Sequence, residues 1–223
     1  MTRCFSCTDE GISRIAVYVV AGATLVSDDI IHEADMESEG HLDATLFNGA
    51  IAELLIACGA DPHQSNHGGW TLMDAATGLR GQEVVALLRA HGVPYALHHA
   101  IGNGDLATAA AMLDAEPELL ETRVTRRRST PLHIGARTGQ VEAVELLLEA
   151  GAEVDPTDKE AFTPLAVLAA YGPKDRRPAV AMVLLAHGAD PRAGCGYSGL
   201  DVVGYAKSKR DHELVAILQD AAR

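Results

Sequence analysis

The feature that most constrains this chain is that it repeats itself. The stretch "TPLHIGARTGQVEAVELLLEAGAEVD", Thr130 to Asp155, returns in altered form along the 223 residues. A leucine anchor recurs as "WTLM" (Leu72), "YALH" (Leu97), "TPLH" (Leu132), "TPLA" (Leu165) and "SGLD" (Leu200), at spacings of 25, 35, 33 and 35 residues. A second anchor travels with it, at Gly59, Gly92, Glu116, Gly151 and Gly188. A period in this range means stacked supersecondary units, not one core wrapped by unlike elements.

Two short helical patterns lie between the anchors. In the clearest unit Leu132, Ile134, Gly135 and Ala136 form one apolar face; Gly139 interrupts; Val141, Val144, Leu147 and Leu148 then repeat at helical spacing. Neither helix is long enough to persist alone, so stability has to come from unit stacking on unit. Composition agrees: 48% of residues are apolar but only 4% aromatic, which requires a core of Ala, Leu, Val and Ile, side chains small enough for closely stacked helices.

The Thr130–Asp155 stretch resembles an ankyrin repeat, which couples a TPLHxAA segment, a glycine, a second helix ending in a GAD-like turn, and a hairpin loop. The period of about 33 residues agrees with the spacings. The resemblance covers about residues 27–223 and is strongest over 64–223. It implies an all-α solenoid of stacked helix-turn-helix units with short β-hairpin fingers. The residues fit that logic. A threonine opening the first helix, as Thr71, Thr130 and Thr163 do, suits an N-cap, proline suits the first turn, and glycine after the second helix permits a left-handed exit. His133 of "TPLH" is then a structural hydrogen-bonding residue.

Departures from the repeat define the expected organisation. The short spacing between Leu72 and Leu97 leaves "HGVPYALHHA" without room for a finger near residues 93–96. Residues 27–63 look like a degenerate unit with an acidic insertion at Asp35 to Asp43. "GISRIAVYVVAGATL" has the register of a second helix only, so residues 1–26 are expected to form a helical half-unit cap. The charged "AKSKRDHELVAILQDAAR" suits a C-terminal cap. "YGPKDRRPAV" lengthens one inter-helix turn, with Pro178 suited to the following helix start. A single domain of about five units is expected.

The formal net charge of −13 disfavours duplex nucleic acid or an anionic membrane as main partner, because binding there relies on Lys and Arg. Arg at 14 positions against Lys at 4, with abundant Ala, suggests a high-GC bacterial source. Cysteines at 4, 7, 58 and 195 are too few and too scattered for a disulfide framework, and a cytoplasmic location is expected. No run reaches the 18 or so apolar residues of a membrane span, and Asp9 and Glu10 spoil the one signal-like segment.

Chemistry-bearing motifs are weak. Cys4 and Cys7 have metal-ligand spacing, but a structural zinc site needs a second pair and none follows. His63 and His67, and adjacent His98 and His99, have no evident completing ligands. "GNGD" falls where the repeat needs a turn, so it is no phosphate loop, and no GxSxG occurs. No cofactor, metal or catalytic residue is expected.

Binding is better supported. The resemblance places the residue before each first-helix anchor on a finger facing the groove; Trp70, Ser129, Phe162 and Tyr197 hold these positions. Rings there make good interface anchors, or they pack on the adjacent finger. "RVTRRRST" concentrates Arg123, Arg126, Arg127 and Arg128 on one finger, able to grip carboxylates bidentately, or merely solvated. First-helix ends, groove-facing by the same resemblance, supply Asn103, Arg137 with Thr138, Tyr171 and Tyr205. The expected function is non-enzymatic: a monomeric groove binding a protein partner, through Trp70, Asn103, Arg126, Arg127, Arg128, Arg137, Phe162, Tyr171 and Tyr197, with an acidic segment the natural match. The alternative is an enzyme using the groove on a small molecule through His98, His99, Arg137 or Tyr171, which would require a deep pocket.

Overall fold

A computed structural model describes residues 17–20, 23–26, 52–53, 56, 61–63, 71–77, 82–124, 127–196 and 199–222. It divides into two compact units, residues 1–94 and 95–223, each treated by itself.

In the first unit, strands β1 (Val17–Val20) and β2 (Ala23–Val26) pair antiparallel, Val17 opposite Val26 and Val20 opposite Ala23. At 17–20 and 23–25 this corrects the helical register expected for residues 11–25, the rest of which lies outside the described residues. The run "VYVV" is largely β-branched and aromatic, so strand propensity prevails over a short amphipathic pattern. Further on lie α1 (Leu72–Ala76) and α2 (Gln82–Ala90). Thr71 caps α1, its hydroxyl accepting from the Asp74 N–H at 3.1 Å while Asp74 Oδ2 accepts from the Thr71 N–H at 2.8 Å. Residues 91–96 contain no strand.

The second unit contains four helix pairs: α3 (Leu97–Asn103) with α4 (Leu106–Ala115), α5 (Pro131–Thr138) with α6 (Val141–Glu149), α7 (Pro164–Tyr171) with α8 (Arg177–Ala186), and α9 (Val202–Ser208) with α10 (His212–Ala221). First helices α3, α5, α7 and α9 pack in one row and second helices α4, α6, α8 and α10 in another. One continuous core, including Ile101, Leu132, Val144, Leu147, Leu165, Leu168, Leu184, Val202 and Leu218, runs between the rows. Small residues set the approach. Gly135 faces Val144 so closely that a methyl there would stand 2.9 Å from its Cγ2, which is why glycine occupies this helical position. Where α5 must reverse into α6, Gly139 takes φ +72 and its N–H donates to the Gly135 carbonyl.

The connections from second helix to next first helix form the fingers. They are minimal: Val124 bridges Ser129 and Gly194 bridges Asp201 as isolated antiparallel pairs, and between α6 and α7 the Asp158 N–H donates to the Phe162 carbonyl at 2.9 Å. Neighbouring fingers are tied by the Lys159 N–H donating to the Arg127 carbonyl at 2.7 Å and Arg123 Nη1 donating to the Thr157 carbonyl at 2.6 Å.

Candidate functional site

His133 lies at the start of α5 and is 1% exposed. The Thr130 N–H donates to its Nδ1 at 3.2 Å and the Thr130 hydroxyl lies 2.8 Å from the same atom, so Nδ1 is the acceptor. Nε2 therefore carries the proton and donates to the Phe162 carbonyl at 3.0 Å. Burial, the largest influence, pushes the ring's pKa below 6.5 and keeps it neutral. This histidine ties one unit to the next. His99 repeats half the arrangement, its Nδ1 accepting from the Ala96 N–H at 3.0 Å.

The finger between α4 and α5 carries Arg123, Arg127 and Arg128 among its described residues. Arg128 is exposed at its tip with φ +57, a left-handed conformation. Arg127 is half-buried: its guanidinium carbon stands 5.1 Å from the centroid of the Tyr171 ring, and Nη1 lies 3.4 Å from Glu160 Oε2. The Tyr171 ring lies 6.2 Å, centroid to centroid, from that of Phe162, tilted by 48°. The structure thus gathers Arg127, Glu160, Phe162 and Tyr171 from two successive units. Arg137 is half-buried in the last turn of α5, and Tyr205 occupies the corresponding end of α9 under Lys209, whose Nζ is 5.7 Å from the ring centroid.

Two expected contact residues are buried instead. Phe162 is 8% exposed because its ring lies against Gly196 of the next finger, where any side chain would overlap it. The ring serves finger-to-finger packing. Asn103 is 9% exposed, with Nδ2 donating to the Tyr95 hydroxyl at 3.4 Å. Trp70, Arg126 and Tyr197, like Cys4, Cys7 and His67, lie outside the described residues.

Sequence reasoning missed two buried polar groups. Arg177 is 7% exposed, donating from Nε to the Gly172 carbonyl at 2.8 Å and from Nη1 to Asp211 Oδ2 at 2.9 Å. Gln140 bridges units by donating to the Gly102 carbonyl at 3.1 Å. Neither carries a local signal, since each partner lies more than 30 residues away or is a backbone atom. Cys195 is buried, and desolvation, then the charge of Asp201, pushes its thiol up to about 11, which removes the thiolate a nucleophile needs.

For small-molecule chemistry, His99 is engaged in capping and the Tyr171 ring in holding Arg127. A hollow that the second unit does form, lined by Arg192, Asp201, Val203, Gln219 and Ala222, is open to solvent and includes none of His98, His99, Arg137 or Tyr171. No helix among the described residues is long and apolar enough to cross a membrane.

Comparison with known proteins assigns the architecture. A family model described as "Ankyrin repeats (3 copies)" matches residues 97–195. The chain is 36% identical over 72 residues to the E3 ubiquitin-protein ligase XB3 of Oryza sativa subsp. japonica, covering 32% of this chain and 16% of that protein. It is 40% identical over 70 residues to the serine/threonine-protein kinase VIK of Arabidopsis thaliana, covering 31% and 16%. The chain thus spans about one sixth of the length of these relatives. Both are plant proteins and give no support to the bacterial source suggested by composition.

Proposed function

We propose, from the premise that residues 97–195 are ankyrin repeats, that this chain is a protein-recognition module whose partner docks on the fingers and first-helix ends of the second unit. The observation that carries the reading is the seating of Arg127: ring and carboxylate hold its guanidinium at the junction of two units, so little side-chain freedom is lost when an acidic group arrives. Arg128 beside it, and Arg137 with Tyr171 at the first-helix ends, complete a basic and aromatic patch. An acidic segment of the partner is its natural occupant.

The relatives support a non-catalytic role for the shared part. One is named a ubiquitin ligase and another a kinase, and each is matched over only about 70 residues, a length of about two repeats. The open surface supports the same reading over an enzyme with a preformed pocket.

The test is affinity capture from lysate with wild type and an Arg126→Ala/Arg127→Ala/Arg128→Ala variant, followed by solution affinity for whatever is retained. A protein held by wild type, released by salt and lost from the variant is the expected result. Equal affinity for both proteins would remove the finger from the interface. A capture empty at low salt would favour the small-molecule alternative.

A further inference from the structure

The geometry points to a second docking surface, at the C-terminal ends of the first helices: the inter-helix turns of the last three repeats form a cationic edge that takes an extended acidic peptide with carboxylates about three residues apart. It adjoins the finger patch at Arg137 and Tyr171 and is carried by different cations, those of the turns.

Charge is sorted in the second unit. Second helices α4, α6 and α10 contain no Lys or Arg, and α6 exposes Glu142, Glu145 and Glu149. The turns do the reverse. Arg137 ends α5; Lys174, Arg176 and Arg177 follow α7; Lys207, Lys209 and Arg210 end or follow α9. Three of the four lysines in a chain of net −13 are here. Lys174, Lys207, Lys209 and Arg210 are exposed, whereas Arg177 is spent on Asp211 inside. The carboxylates near this edge are Asp175 in its turn and Glu142 and Glu213 in the first turns of α6 and α10, while Asp211 is engaged by Arg177 and caps α10, accepting from the Leu214 N–H at 3.2 Å. One cation per helix end would be explained by the helix dipole. Three within residues 207–210, at the end of α9 and just past it, with Lys174 and Arg176 past the end of α7, are not.

The turns are contiguous. Arg176 donates to the Gly139 carbonyl at 3.4 Å, Pro173 lies against Gly139, and Arg177 reaches Asp211, so each turn touches the next. Packed helices stand about 8–10 Å apart. An extended peptide advances about 3.3 Å per residue. Cations repeating along the stack therefore match a carboxylate at every third peptide position, over about seven residues for three turns. A duplex or a membrane would meet the exposed glutamates of α6 beside this narrow strip and be repelled, whereas a single extended chain need touch the strip alone.

The experiment is fluorescence anisotropy with a labelled Glu-Ser-Gly repeat peptide at low salt, against wild type, a Lys174→Glu/Lys207→Glu/Lys209→Glu variant and the triple-arginine finger variant. Expected are binding to wild type that salt weakens, about a tenfold or greater loss on charge reversal, near wild-type affinity in the finger variant, and weaker binding of a same-composition peptide with its glutamates clustered. Unchanged affinity in the reversal variant would overturn the inference, as would loss in the finger variant alone. Binding of a DNA duplex or phosphatidylserine vesicles, lost on reversal while the peptide does not bind, would overturn the peptide assignment. Circular dichroism checks that the variants fold, and the triple alanine variant at the same lysines gives the same reading if charge reversal disturbs the stack.

Discussion

Replacing His133 by glutamine should flatten the acid side of the stability curve. In the folded chain Nδ1 faces the N–H and hydroxyl of Thr130, at 3.2 and 2.8 Å, so a proton added there would meet donors in place of receiving them. Burial likewise penalises the imidazolium, and the folded pKa lies below the 6.5 of an unfolded histidine. The sign follows. Below pH 6.5 the unfolded chain binds this proton and the folded chain does not, so the stabilisation, fully present above 6.5, is lost as pH falls towards the folded pKa. Within that window the loss of unfolding free energy from His133 steepens towards a limit of about 1.4 kcal/mol per pH unit. Urea unfolding of wild type and His133→Gln at pH 7.5, 6.5 and 5.5 measures it, and the difference between the two proteins cancels the other histidines and the carboxylates. At pH 7.5 the variant should be less stable, because glutamine cannot satisfy Thr130 and the Phe162 carbonyl with the same geometry, and each buried group left unmet costs about 1–3 kcal/mol. The gap should narrow as pH falls from 6.5 to 5.5, by at most about 1 kcal/mol. Parallel curves would refute the neutral, donor-to-Phe162 assignment.

Leu147→Ala, at a fully buried site in α6, should cost roughly 2–5 kcal/mol, a drop of several degrees in Tm by calorimetry; a negligible loss would mean that α6 turns a different face to the core. Asp211→Ala leaves the buried Arg177 guanidinium without its carboxylate and should cost about 3 kcal/mol in chemical denaturation, while a loss under about 1 kcal/mol would show the pair to be effectively solvated. Ala161→Gly, at an exposed position with φ +61, should stabilise by about 1 kcal/mol, since glycine takes the left-handed region without strain; no gain would argue for a different finger conformation. The triple-arginine finger variant should keep its Tm within about 3 °C, because partly exposed ion pairs contribute little.

The repeat architecture was readable because its signals are local and recur. Thr163 capping α7, accepting from the Ala166 N–H at 3.3 Å, Pro178 at the start of α8, the left-handed Gly139 and the structural role of His133 all follow from residue type and spacing. The direction of Phe162 was not readable. A ring before the anchor can face a partner or the next finger, and the choice was made by Gly196, whose missing side chain opens the space the ring fills. Asn103 is similar: helix position alone does not show that Tyr95, eight residues earlier, closes over it. Arg177 looked like one more surface cation in a charged insertion, and only the turn that brings Asp211 to it takes it inside. In the opening segment, β-branched residues outweighed an apolar spacing that also suits a helix.

The seating of Arg127 on Tyr171 makes the finger shared property. The cation belongs to one repeat and its seat to the next, so any partner that reads the arginine also reads whether those two repeats remain stacked. Fraying of α7 from α5 would scatter the guanidinium before the finger itself unfolded. A partner's affinity, followed against temperature or denaturant, would therefore fall ahead of global unfolding and act as a local gauge of a single joint in the array.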